Sequence, residues 1–105
     1  MYLLHLKTYH TTTTLYQYYH YSLVNQLERS ATSIGANIRE AKYAHSKADF
    51  TAKLQIALKE CYEAEYWLEL MIEGGYYSDR TILDQCVEIK RLLIASINTA
   101  KANMK

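Results

Sequence analysis

Proline is absent from the chain, and only three glycines (Gly35, Gly74 and Gly75) interrupt its 105 residues. The two residue types that most readily end a helix are thus nearly missing, while leucine, alanine, glutamate and lysine are frequent. An almost wholly helical backbone is expected. Cysteine is scarce too: Cys61 and Cys86 are too few and too far apart for a disulfide framework. In a helical hairpin turning at Gly75 they would lie about six residues apart along the axis, ~9 Å at the helical rise, beyond the ~7 Å limit on Cα separation. Both read as core thiols. Long hydrophobic runs are missing, since none approaches the ~20 residues that span a bilayer. The longest, Leu92-Leu93-Ile94-Ala95-Ser96-Ile97, directly follows Lys90-Arg91. The opening Met1-Tyr2-Leu3-Leu4-His5-Leu6-Lys7 lacks a basic region and a small-residue cleavage site, so no signal peptide is expected. These absences point to a single cytoplasmic domain over residues 1–105, with no membrane contact.

What remains is apolar periodicity. Over residues 22–44, Leu23, Leu27, Ala31, Ile34, Ile38 and Ala41 recur three or four apart and form one helical stripe. Gly35, interior to that helix, costs ~1 kcal/mol relative to alanine and is expected to let another helix approach closely. Ser46-Lys47-Ala48-Asp49 carries an N-cap serine and an acidic N3 residue, so a second helix starts there and runs over residues 47–73. Its apolar positions, Phe50, Leu54, Ala57, Cys61, Ala64, Leu68 and Met71, alternate steps of four and three, the seam of a packed bundle. Gly74-Gly75 supplies the left-handed stop. Ser78 or Asp79 then caps a last helix over residues 79–102, with Ile82, Cys86, Ile89, Leu93, Ile97 and Ala100 on one face. Residues 2–20 are ambiguous, because Thr11-Thr12-Thr13-Thr14 is a β-branched run with poor helix propensity. An irregular first helix is expected there.

Catalytic chemistry is hard to find. His5, His10, His20 and His45 show no i,i+4 pair and no Glu-x-x-His, so metal-ligand spacings are missing. No phosphate-binding glycine loop, nucleophile elbow or HExxH occurs. Glu60, Glu63, Glu65, Glu69 and Glu73 read as a solvated charged face. No enzyme activity and no cofactor are expected. The one functional signal is basic. Arg39, Lys42 and Lys53 fall within ~40° of one another if the two central helices are nearly continuous. Arg29, Lys47 and Lys59 add charge nearby, and a ring of subunits would repeat the stripe, so that phosphate contacts add up. Arg39, Lys42, Lys47 and Lys53 are therefore the candidate nucleic-acid contacts. Gln26, Arg29, Ser33, Asn37 and Glu40, also three or four apart, suit a polar network that fixes helix register or subunit contact, with Arg29 paired to a carboxylate across helices or subunits.

The pattern Leu23-x-x-Gln26-Leu27-x-Arg29-Ser30-x-x-Ser33-Ile34-x-x-Asn37-Ile38-x-Glu40-Ala41, followed by Ser46-x-x-Asp49-Phe50-x-x-x-Leu54-x-Ile56-Ala57 and Gly75-Tyr76, resembles the bacterial four-helix-bundle proteins encoded within 23S rRNA intervening sequences. The related branch is the accessory variability protein of diversity-generating retroelements, which partners a reverse transcriptase. The resemblance implies an all-α, up-and-down four-helix bundle that assembles as a homopentamer, with a role in binding RNA or DNA. Here the first helix looks shortened or irregular. The expected function is a non-enzymatic homo-oligomer that binds structured nucleic acid through a basic surface. The alternatives are a protein-interaction adaptor, such as an accessory subunit of a reverse transcriptase, and a purely structural oligomer.

Overall fold

The computed structural model describes residues 9–104, with side chains from Tyr19 onward. Three helices follow one another: α1 (Tyr9–Lys42), α2 (Lys47–Glu73) and α3 (Thr81–Asn103). The expected four-helix bundle is therefore corrected to an all-α fold of three helices, with no strand among the described residues. The discrepancy arises at Tyr21-Ser22, where a first helix was expected to end and a second to begin. One unbroken helix of 34 residues runs through both, threonines included. Threonine lowers helix propensity by only about 0.7 kcal/mol per residue or less, and neither proline nor glycine is present to break the backbone there. Residues 2–8 of the expected first helix lie outside the described residues.

The remaining boundaries follow local chemistry. Ser46 Oγ accepts a hydrogen bond from the Asp49 N–H at 3.0 Å, as its N-cap position requires. At the other end of α2, Tyr76 N–H donates to Met71 O at 2.9 Å and Gly75 N–H to Ile72 O at 3.2 Å. Those two bonds make a Schellman stop, with Gly75 at φ +78° in the left-handed position. Before α3 neither Ser78 nor Asp79 takes the N-cap position, which falls to Arg80 with no side-chain capping bond, and Asp79 holds the first turn from one residue outside it. Its carboxylate accepts from the Thr81 N–H (2.9 Å) and the Thr81 hydroxyl (2.6 Å), which hold the Asp79 pKa below the ordinary carboxylate value.

α2 is the central helix, and α1 and α3 pack on two different flanks of it in an up-down-up arrangement measuring 60 × 20 × 18 Å. Its seam residues Leu54, Ala57, Cys61, Ala64, Leu68 and Met71 are buried as the heptad requires, with Phe50 half-buried beside them. Leu23, Ile34 and Ala41 reach this core from α1, and Leu83, Cys86, Leu93 and Ile97 from α3. Cys61 and Cys86 are free, buried thiols, Cys86 Sγ donating to the Cys61 carbonyl at 3.6 Å. The Cys86 contact and burial push the Cys61 thiol pKa up, so it stays protonated at neutral pH.

No Cα of α1 comes within 8 Å of a Cα of α3 among the described residues, so α2 separates these helices and leaves a cleft between them. Ile38, Ala41, Phe50, Leu54, Ile89 and Leu92 line about 460 Å³ of it. This geometry explains why Ile38, Ile82 and Ile89, at stripe positions, are exposed while Ser30 and Leu83 are buried instead. It also corrects the reading of Gly35, because a Cβ built there meets nothing within 4 Å. Among the described residues no helix approaches it.

Candidate nucleic-acid interface

The turn at residues 43–46 folds α2 back along α1, so the two helices are antiparallel rather than continuous. Across this seam Arg39 of α1 and Lys53 of α2 line one groove, with Tyr43 and His45 from the turn and two carboxylates, Glu40 and Asp49. The groove holds about 480 Å³. Lys42 turns instead toward the α1–α3 cleft, its Nζ 5.8 Å from the Tyr43 ring centroid. Lys47 lies at the first turn of α2 beside Phe50, Ser96, Thr99 and Asn103 of the α2–α3 side. The structure thus brings two of the four candidate cations into one groove and spreads the other two around the same end of the molecule.

That end is cationic. Between Ala36 and Lys53, and in the last turns of α3, Arg39, Lys42, Lys47, Lys53 and Lys101 face only Glu40 and Asp49. The rest of the described chain carries Glu28, Glu60, Glu63, Glu65, Glu69, Glu73, Asp79, Asp84 and Glu88 against Arg29, Lys59, Arg80, Lys90 and Arg91, an acidic excess with cations interspersed. Charge is therefore biased along the long axis, basic at the turn end and acidic in excess elsewhere, a bias that a net charge of +1 conceals.

The polar row of α1 continues up the same seam. Arg29 Nη2 donates to Gln26 Oε1 at 3.3 Å. Asn37 Nδ2 donates to the Ser33 carbonyl at 2.9 Å and to its Oγ at 3.3 Å. These bonds run along the helix rather than across it. Arg29 faces Glu60 and Glu63 in a small pocket shared with Gln26, Ser30 and Ser33, and the ion pair found among the described residues is elsewhere, between Lys90 and Glu65. Glu40 stays exposed, in the lower groove. Desolvation in the seam, then the neighbouring Glu63 carboxyl, raises the Glu60 pKa above its ordinary value, and the Lys59 and Arg29 charges offset part of this.

The five glutamates of α2 do not form one solvated face. The structure divides them: Glu60 is half-buried at the α1 seam, Glu65 bonds α3, and Glu63, Glu69 and Glu73 are exposed, Glu63 beside that seam. Ser30, buried to 3% exposure beside Glu60 and Glu63, was passed over as well. Its sequence signals are its place in the pattern Arg29-Ser30-x-x-Ser33-Ile34 and a hydroxyl at the expected core angle of α1. Among the described residues no three histidine, cysteine, aspartate or glutamate side chains are grouped to hold a metal ion, and no helix is long and apolar enough to cross a membrane.

Comparison with known proteins gives a consistent family and no assigned activity. A search of curated proteins finds no match. A crystal structure of a protein of unknown function from the S23 ribosomal protein family of Bacteroides thetaiotaomicron is 52% identical over 71% of this chain and 72% of its own, with a TM-score of 0.69. The family model described as 23S rRNA-intervening sequence protein matches residues 1–95. The chain therefore belongs to the 23S rRNA-intervening sequence protein family.

Proposed function

We propose that this chain is a non-enzymatic, self-assembling helical protein of the bacterial cytoplasm that binds structured RNA or DNA through its cationic end. The observation carrying this reading is the shared groove of Arg39 and Lys53, flanked by Lys42 and Lys47 around one turn. Phosphates are recognised by clustered cations whose counterions are released on binding, and two cations on opposite walls of one groove can contact the backbone together. Tyr43, 67% exposed beside them, offers a ring on which an unpaired base can stack. Exposed apolar side chains, among them Tyr21, Ile56, Tyr62 and Tyr66, favour assembly into an oligomer, and a pentamer repeats the cationic end five times. The test is fluorescence anisotropy with a structured RNA hairpin and a DNA duplex, comparing the natural chain with Arg39→Glu/Lys53→Glu. Loss of binding in the variant supports the reading, and unchanged binding refutes it.

The α1–α3 cleft favours a second reading, an adaptor whose partner is a protein such as a reverse transcriptase. Ile38, Ile89 and Leu92 present a continuous apolar slot of the kind that accepts a helix. Leu92→Asp should abolish adaptor binding and leave nucleic-acid binding intact.

A further inference from the structure

We propose that the groove between α1 and α2 selects an unpaired guanine: Arg39 and Lys53 take the flanking phosphate, Tyr43 stacks on the base and Asp49 reads its Watson–Crick edge. This deepens the nucleic-acid reading above, on which it rests, from a charge-driven surface to a base-selective one.

Four charged side chains of both signs share the groove without neutralising one another. Arg39 and Glu40 come from α1, Asp49 and Lys53 from α2, and among the described residues no ion pair or side-chain hydrogen bond joins them. Asp49 and Lys53 are both half-buried and stand four apart, in the order that favours a helical ion pair, and still do not meet. Glu65 and Lys90, by contrast, close to 2.8 Å. Carboxylates set among cations repel a phosphate backbone, so a surface that read phosphate alone would bind better without them. A ligand that carries an anion at one point and hydrogen-bond donors at another satisfies both signs at once. A nucleotide is such a ligand.

The carboxylate selects the base. An ionised carboxyl group accepts hydrogen bonds and donates none. Guanine sets two donors side by side on its Watson–Crick edge, N1–H and the N2 amino group, and these match the two oxygens. Adenine and cytosine place an acceptor nitrogen beside their amino group, and uracil flanks its N–H with two carbonyls, so all three turn lone pairs toward a carboxylate. In a duplex the edge of guanine is already occupied, so the base read here is unpaired. Asp49 suits this role better than Glu40. It is shorter and half-buried, and its N–H is fixed to Ser46 Oγ at 3.0 Å, whereas Glu40 is exposed on a longer side chain. Tyr43, 67% exposed, supplies the stacking ring. Ala36 adds only a methyl group to the lining, and the space of about 480 Å³ is of the size that single small ligands occupy.

The test is fluorescence anisotropy at one fixed salt concentration, with RNA hairpins that differ in a single loop nucleotide: guanine, inosine, adenine, cytosine or uracil. The natural chain should bind the guanine loop at least about tenfold more tightly than the adenine, cytosine and uracil loops. Inosine, which lacks only the N2 amino group, should fall between. Asp49→Asn should abolish the preference, because an amide presents one acceptor and one donor. Glu40→Gln should tighten binding of every loop and keep the preference. Equal affinity for all the loops, or a guanine preference that survives Asp49→Asn, overturns the base-selective site and leaves phosphate binding in place. Binding to no hairpin, or affinity unchanged by Arg39→Glu/Lys53→Glu, removes the nucleic-acid reading and this proposal together. The comparison of guanine with inosine uses the natural chain alone, so it decides the matter even where a variant fails to fold.

Discussion

Lys90 of α3 holds both carboxylate oxygens of Glu65 on α2, at 2.8 and 3.0 Å, with its Nζ also 5.5 Å from the Tyr62 ring centroid. Both side chains are about four-fifths covered, at 20% and 19% exposure. A pair this sheltered should contribute near the upper end of the surface range, about 1 kcal/mol. Glu65→Gln and Lys90→Met should each lose that amount in urea unfolding, and the double variant little more than either alone.

The same contact fixes a pH dependence. Hydrogen bonding to Glu65 raises the Lys90 pKa above its ordinary 10.5, so the ammonium holds its proton more tightly in the folded chain. Its stabilisation is complete below the ordinary lysine pKa and is lost as pH rises through the raised one. Unfolding midpoints taken between pH ~9 and ~12 should fall more steeply for the natural chain than for Lys90→Met.

Two glycines on the same chain should respond in opposite directions. Gly35 sits inside α1 with open space where a Cβ would go, so Gly35→Ala should stabilise by about 0.5–1 kcal/mol. Gly75 has φ +78°, and Gly75→Ala should destabilise by about 1 kcal/mol through strain at the Schellman stop. Urea midpoints of the two variants, read by helical circular dichroism, check both signs.

Ser46 offers a local test of the α1–α2 turn that sets Arg39 opposite Lys53. Replacing it with alanine removes the 3.0 Å cap on Asp49 N and should cost about 1 kcal/mol. Ser46→Asp, which keeps an acceptor and adds a charge favourable at a helix N-terminus, should restore the loss.

Leu68 and Leu92 separate covered from uncovered leucines. Leu68, at 2% exposure in the seam, should lose about 2–5 kcal/mol on truncation to alanine. Leu92, at 59% exposure on the cleft, should lose under about 0.5 kcal/mol in the isolated chain. Chemical denaturation at low protein concentration measures both.

Helix α2 is almost fully legible in sequence because neighbours cover two of its flanks, so the heptad from Leu54 to Met71 matches its buried residues; only at the first turn does buried Thr51 stand where the heptad has the half-buried Phe50. The outer helices were only half legible. Ala31, Ile38, Ile82 and Ile89 have the spacing of a core stripe, but α1 and α3 each pack on α2 alone, and periodicity does not count neighbours. The join at Tyr21-Ser22 was misread because low threonine propensity was weighed as a break, when it only weakens a helix. The grouping of Arg39, Lys42 and Lys53 assumes nearly continuous helices, whereas the fold turns back at residues 43–46, which sets Arg39 and Lys53 in one groove and carries Lys42 to the cleft. Glu60 and Glu63 could not be told from Glu69 by type or spacing, because only packing against α1 distinguishes them.

In the proposed function Arg39 and Lys53 contact phosphate. The most direct measurement is the salt dependence of binding to a structured RNA, for the natural chain and for Arg39→Glu/Lys53→Glu. The account predicts a log–log slope of roughly −0.7 to −0.9 for each phosphate neutralised, and a slope shallower by nearly two such contacts per chain in the variant. A slope near zero in the natural chain, or one unchanged by the double reversal, would contradict it.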